Sequence, residues 1–266
     1  MLSAIDRSGS GAMAGINGKD MTRRAREIEN SDFGRRFDEV AASFDGIVSK
    51  YSAIRRYHAL IPLIRGKVLD AGAGTGWLSR LYDPKEIIHL DISINMCRVV
   101  HEKTGSPAIC GDAEILPVTD EAFDTIVSSE MIYYLNEPNR FFSEASRSLK
   151  PGGRLLITSA NQKVAFYDRC RTFLRRIGVT RAYFDDGINR FMTDGEMKRF
   201  YEENGFKVIM CRNIMILPFR FFRRLDCRLE KTPFRRFSLY LVMAGLKTGR
   251  SDDVVCGKME TAGGDS

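Results

Sequence analysis

A chain of 266 residues, 44% hydrophobic and 28% charged, has the makeup of a globular protein of one large or two small domains. No apolar run reaches the roughly 18–20 residues a membrane span needs, and the six cysteines stand apart, with no C-x-x-C pair or Cys/His cluster to suggest zinc or a disulfide framework. The formal charge of +7 gathers in residues 207–250, where arginine dominates.

Residues 1–30 hold Gly, Ser, Arg and Glu without an apolar stretch and read as a disordered lead-in, with no secretory signal. A helix precedes a short apolar strand at 67–71, and 76–82 looks helical again. Strand 86–91 and helix 94–103 follow, then strands 108–110 and 123–128. Helix 138–149 is well marked: Asn136 can cap it, Pro138 suits its first turn, and Phe141, Ala145 and Leu149 share an apolar face. Lys150-Pro151-Gly152-Gly153 stops it, and 154–159 is a fifth strand. Thr193 and Glu196 form a capping box for a helix ending near Gly205. Strands 206–211 and 238–246 close the pattern, and 251–266 reads as a flexible tail.

Strand–helix alternation of this kind predicts a parallel sheet covered by helices on both faces. Ligands bind such sheets beyond the carboxyl ends of the strands. The first strand runs into VLDAGAGTG at 68–76, where glycines permit a tight turn and leave no Cβ between backbone and ligand. The dinucleotide fingerprint G-x-G-x-x-G would put its third glycine at Trp77, a bulky residue where close helix–strand packing needs none. No G-x-x-x-x-G-K-[ST] occurs, which excludes a P-loop.

Further on come HLDIS (89–93), GDAEILP (111–117), FDTIVSSEMIYYL (123–135) and LKPGGRLLIT (149–158). With these motifs in this order over residues 60–160, the sequence resembles the class I S-adenosylmethionine-dependent methyltransferases (type 11), the broad group that includes the ubiquinone and menaquinone C-methyltransferases. The resemblance implies an α/β, Rossmann-like, doubly wound sheet of seven strands with the last antiparallel. It implies S-adenosylmethionine as cofactor and a methyl-transfer enzyme; beside it, the pattern of elements reads as a single domain over 31–250 whose insertion at 160–204 is a helical substrate cover, and the scattered cysteines read as reduced thiols of a cytoplasmic protein with no metal. The resemblance also implies roles for single residues. Asp70 would anchor the methionine ammonium, through water and the loop backbone. Gly72, Gly74 and Gly76 would lie under methionine and ribose. Asp91 would receive both ribose hydroxyls, Ile92 and Met96 would pack on the adenine, and Asp112, with the Ala113 backbone, would meet its edge. Ser128 would contact the methionine part. A non-catalytic cofactor-binding or interaction module is the alternative on this fold; the presence of Asp70, Asp91 and Asp112 favours the enzyme.

A sulfonium methyl is already activated, so alignment and exclusion of water matter most. A general base helps only when the acceptor loses a proton. His58 and Tyr133 are the catalytic candidates, with Tyr51, Glu130 and Tyr134 behind them. The chain has SSEMIY where N6-adenine methyltransferases need Asn/Asp-Pro-Pro-Tyr/Phe, lacks the glutamate spacing of the arginine methyltransferases, and lacks the clustered acids of metal-dependent catechol methylation. A small or lipid-like organic acceptor remains. Residues 217–237, LPFRFFRRLDCRLEKTPFRRF, suit peripheral contact with an anionic membrane more than nucleic acid, unless the phenylalanines pack inward and leave the arginines solvated.

Overall fold

The computed structural model describes residues 32–82, 86–161, 192–217 and 219–249. Three helices come first: α1 (Asp32–Val40), α2 (Phe44–Ile47) and α3 (Lys50–Leu60). The sheet then alternates with helices: β1 (Val68–Ala71), α4 (Trp77–Leu81), β2 (Ile87–Asp91), α5 (Ile94–Thr104), β3 (Ala108–Cys110), β4 (Phe123–Ser129), α6 (Pro138–Ser148) and β5 (Leu149–Ala160). After residues outside the described set come α7 (Asp194–Glu203), β6 (Phe206–Ile214), α8 (Arg223–Leu229) and β7 (Tyr240–Lys247).

All seven strands join one sheet in the order β3-β2-β1-β4-β5-β7-β6. β1 to β5 pair in parallel, and β7 runs antiparallel to both β5 and β6, as the resemblance implied. Strands β1 and β2 are buried along their whole length, which is why both read as near-continuous apolar runs rather than alternating ones. The chain steps outward from β1 to β2 and β3, then returns to β4 on the other side of β1. The crevice at the carboxyl ends of β1 and β4 is therefore the switch point where ligands bind.

Helix α6 buries Phe141 and Ala145 completely, the i, i+4 face read from the sequence. Its N-cap is Glu137, not Asn136, because Pro138 takes the first helical position. Glu137 makes no capping bond; instead the N–H groups of Asn136 and Glu137 donate to the Glu114 carboxylate at 2.6 and 3.1 Å. Strand β5 starts at Leu149, earlier than expected. Leu149 pairs with Phe123, residues 150–153 bulge out, and pairing resumes at Arg154.

The capping box of α7 forms in both directions. This helix is not part of a substrate cover, however. Met197 and Tyr201 are completely buried, and the helix packs against β6 and β7; its apolar face is core. The remainder of the expected cover, 162–191, lies outside the described residues, as do the lead-in 1–30 and the tail 251–266. The Tyr201 hydroxyl lies 3.2 Å from the carbonyl oxygens of both Leu155 and Met243, so its ring is fixed beneath two adjacent strands. Gly245 of β7 is what leaves room for it: a Cβ there would stand 2.3 Å from Tyr201 Cδ1. Gly245→Ala is expected to destabilise the fold by about 1–3 kcal/mol, the usual cost of overpacking a filled core. A shift of the urea midpoint at constant m-value measures it, and an unchanged midpoint refutes it.

Candidate functional site

Past Ala71 the chain leaves the sheet in a tight loop. The N–H groups of Gly72 and Ala73 both donate to the Leu90 carbonyl, at 2.8 and 3.0 Å. Gly72 has φ 74°, and a Cβ on it would lie 2.5 Å from Met131 Cγ. Only glycine allows both the left-handed backbone and that approach. Two residues on, the Gly74 N–H donates to Asp91 Oδ2 at 2.8 Å, while Asp91 Oδ1 accepts the Ser93 N–H at 3.0 Å. The acid at the end of β2 thus ties down the glycine loop after β1.

Asp91 is buried, and burial pushes its carboxyl up to about 6 against the pull of the Ser93 and Gly74 N–H groups; the nearby acids Asp70 and Asp38 add to the rise. The Asp112 carboxylate accepts the Glu114 N–H at 2.8 Å and caps the turn Ala113–Ile115. Gly72, Gly74, Asp91, Ile92, Met96, Asp112 and Ala113 line one cavity of about 470 Å³.

Three expected residues do not line it. Asp70 is completely buried, its Oδ2 3.0 Å from His89 Nδ1, and the far nitrogen of that ring meets Ser79 Oγ at 2.9 Å. Its other oxygen, Oδ1, has no hydrogen-bond partner among the described residues. Asp70 therefore acts under the loop, on its packing, and not at the cavity wall. Gly76 is the N-cap of α4 and faces Val100. Ser128 points into the protein, its buried hydroxyl without a hydrogen-bond partner among the described residues, and its neighbour Ser129 lines the cavity instead, because successive residues of a strand face opposite sides.

The opposite wall comes from α3, from the end of β4 with the residues that follow it, and from the start of β7. His58 is exposed on α3 and faces away from the cavity. Ser52 and Arg56, one helical turn apart, face in, together with Tyr57. Arg56 is the one Lys, Arg or His side chain lining the cavity among the described residues. Its guanidinium donates to Ser52 Oγ at 2.6 Å, lies 3.9 Å from Glu130 Oε1 and rests 4.8 Å over the Tyr240 ring. Ser52 in turn donates to the Tyr240 hydroxyl at 2.7 Å. Glu130 Oε2 accepts from Tyr133 and Oε1 from Thr158, each at 3.2 Å. Glu130 has φ 63°, a left-handed conformation uncommon off glycine. Burial, followed by the neighbouring Glu130, raises the Tyr133 phenol well above its usual range. Tyr133 is therefore a protonated donor, not a base, and both it and Tyr134 line the cavity.

The sequence reading passed over Ser52, Arg56, Tyr57 and Tyr240. The i, i+4 spacing of Ser52 and Arg56 beside the buried face Ala53, Tyr57 and Leu60 was the available signal for the first three. A roof of α1 and α2 covers the cavity. Asp38 of α1 accepts from Ser93 Oγ and the Asn95 N–H. Asp45 of α2 accepts from Thr75 of the glycine loop and pairs with Arg80 and Lys103 at 2.8 and 2.9 Å. Beneath this roof Phe37 meets Tyr134 edge to face, with centroids 5.3 Å apart.

Residues 69–157 match a family model described as a methyltransferase domain. Over 191 residues the chain is 32% identical to a malonyl-[acyl-carrier protein] O-methyltransferase of Methylococcus capsulatus, covering 62% of this chain and 69% of that one. Over 147 residues it is 33% identical to a demethylmenaquinone methyltransferase of Renibacterium salmoninarum, covering 49% of this chain and 62% of that one. In the first relatives matched, this chain spans between about half and three-fifths of their length. Among solved structures, a Thermotoga maritima protein described as a S-adenosylmethionine-dependent methyltransferase, possibly acting on histamine, superposes with a TM-score of 0.62 at 21% identity, over 81% of this chain and 100% of that one.

Proposed function

The chain belongs to the class I S-adenosylmethionine-dependent methyltransferase family, and from that premise we propose that it transfers the methyl group of this cofactor to a small organic or lipid-like acceptor held in the same cavity. One observation carries the reading: a single cavity joins the glycine loop, Asp91 and Asp112 on one side to Arg56, Glu130 and Tyr133 on the other. The residues present fit the cofactor. Asp91 accepts one N–H on each carboxylate oxygen and keeps lone pairs for the two ribose hydroxyls. Gly72, Ala73 and Gly74 line the cavity with backbone and a single methyl group, which lets a ligand approach the loop closely. Asp112 and Ala113, with Ile92 and Met96, offer a polar edge and apolar faces for a purine.

When bound, S-adenosylmethionine supplies a methyl group activated by its sulfonium. The chain's own residues do the rest. The aromatic roof excludes water, and holding an acceptor in line contributes on the order of 7–11 kcal/mol. Arg56 offers the wall's positive charge to an acceptor. Glu130, set between Tyr133 and Thr158, is the group placed to take a proton from it, a role that His58 lacks the position for and Tyr133 lacks the acidity for. Relatives named for demethylmenaquinone and for malonyl-[acyl-carrier protein] support an organic acceptor.

Titration calorimetry with S-adenosylhomocysteine tests the binding half, with dissociation on the order of micromolar expected and none for NAD. A screen for S-adenosylhomocysteine release against quinone precursors, phenols and carboxylic acids tests transfer. On an acceptor that turns over, Glu130→Gln should lower kcat at least tenfold and leave S-adenosylhomocysteine affinity unchanged. Undetectable binding by the folded wild-type chain overturns the proposal.

A further inference from the structure

Six of the seven large hydrophobic side chains exposed on the described surface fall within residues 219–237: Phe219, Phe221, Phe222, Leu225, Phe234 and Phe237. Phe219 is 62% and Phe221 92% exposed, values that a phenylalanine packed inward does not show. The same stretch holds six arginines and Lys231, every one exposed. Its two acids face the other way. Asp226 is completely buried and accepts the Ile216 and Leu217 N–H groups at 2.7 and 2.9 Å. Glu230 accepts the Met215 N–H at 2.6 Å. Both pair with Arg55 of α3. The acids hold the segment to the body, so its outer face is apolar and cationic, without a compensating negative charge of its own. Among the described residues none of these seven cations forms an ion pair with an acid.

We propose that this face docks on an anionic lipid membrane, its phenylalanines entering the interfacial layer and its arginines holding headgroup phosphates. Arginine's planar fork suits phosphate oxygens, and a shallow concavity lined by Arg223, Arg224, Cys227 and Arg228 presents three of them together. A second copy of the chain does not fit, since a two-fold interface would set these like charges against each other. Residues 162–191, with seven Lys or Arg against three Asp, share the same sign. Single-stranded nucleic acid is bound along a basic groove whose rings lie as separate stacking platforms, whereas Phe219, Phe221 and Phe222 gather edge to face at 5.3 and 6.5 Å into one projecting apolar cluster. The patch also sits next to the cavity. Arg55 anchors it, and the following residue, Arg56, lines the cavity wall, as does Tyr240 a few residues beyond Phe237. On the methyl-transfer reading, an acceptor dissolved in the bilayer would be met where it lies; docking itself does not rest on that reading.

Co-sedimentation of the full chain with vesicles tests the proposal. At low salt the protein should pellet with phosphatidylglycerol-containing vesicles and stay in solution with pure phosphatidylcholine. Partitioning should fall as salt rises towards ~0.5 M. The fourfold variant Arg220→Ser/Arg223→Ser/Arg224→Ser/Arg228→Ser should lose roughly fivefold for each arginine removed. Phe219→Ser/Phe221→Ser, at side chains too exposed to carry the fold, should also weaken binding at least tenfold. Wild-type protein that stays in the supernatant with anionic vesicles overturns the proposal. So does undiminished pelleting of the phenylalanine variant, because a simple polycation needs no apolar insertion, and so does preferential retention by single-stranded RNA.

Discussion

Replacing His89 with leucine is expected to lower the stability of the fold by about 3–5 kcal/mol, the usual cost of removing one partner from a buried pair. His89 is completely buried in β2, with one nitrogen on Asp70 and the other on Ser79. Leucine fills a similar volume, so a cavity is not the source of the loss. Asp70 Oδ1 already lacks a hydrogen bond among the described residues. Without His89, the other oxygen is stranded in the core as well, at a side chain with no exposed surface. A double-mutant cycle separates this cause from misfit: Asp70→Leu combined with His89→Leu should recover most of the deficit, since no orphaned carboxylate remains. A single variant within 1 kcal/mol of wild type (about the cost of an ordinary surface change) would refute the pairing argument.

The second large effect is on cofactor affinity. Asp91→Ala should weaken S-adenosylhomocysteine binding roughly ten- to a hundredfold, because hydrogen bonds to a charged group contribute about 1.5–3 kcal/mol. Part of the loss comes from the loop, since Gly74 and Ser93 lose the acceptor for their N–H groups. The raised carboxyl adds a pH signature. Hydroxyl groups donate to the ionised form, so binding must expel a proton once the pH drops below about 6. Affinity should be flat above that value and fall about tenfold per unit below it. Stability runs in the opposite sense. A folded-state value of about 6 against 3.8 means that Asp91 favours folding when protonated. That contribution is complete below about 3.8 and lost as pH rises through 6, so the ionised acid costs the unliganded protein about 3 kcal/mol at neutral pH. Calorimetry from pH 5 to 8 decides: affinity independent of pH, or unchanged in the folded Asp91→Ala variant, removes Asp91 from the site.

The cofactor half of the site was legible because its residues are fixed by backbone demands. A glycine at φ 74° beside Met131 and an acid at the end of β2 leave local marks in the sequence. The acceptor half was legible only in part: Glu130, Tyr133 and Tyr134 follow β4 and stand out in the sequence, whereas Arg56 and Tyr240 do not. Arg56, Glu130 and Tyr240 come from α3, the β4 exit and β7, and only the closed sheet brings them within reach of one another. His58 qualifies on chemical type, but helix phase turns it away from the cavity and brings Arg56 in. The same lack of phase information set Ser128 in place of Ser129. Asp70 reads as a ligand because it opens the glycine loop, whereas its partner His89 lies 19 residues away and is seen only when β1 and β2 pair. Helix α7 was drawn into the cover because its capping box marks where a helix starts and says nothing of what it packs against.

The strand order also dictates a sequence of events during synthesis. β1 to β5 form a contiguous parallel set that can assemble as soon as residue 160 is made. β6 has no neighbour in that set; it pairs with β7 alone, which is translated after it. Until β7 emerges and slides between β5 and β6, the outer edge of β5 carries unpaired backbone groups, and β6 is an unattached ribbon. Such a bare edge invites pairing with another nascent chain. The β6–β7 register runs from Ile214 opposite Tyr240 to Phe206 opposite Lys247, so pairing closes only a modest loop at small entropic cost, and the exposed interval ends quickly once the strand is available. A ribosome stalled before Tyr240 would hold a chain whose cofactor loop is complete, but whose acceptor wall, lacking the Tyr240 ring beneath Arg56, does not yet exist.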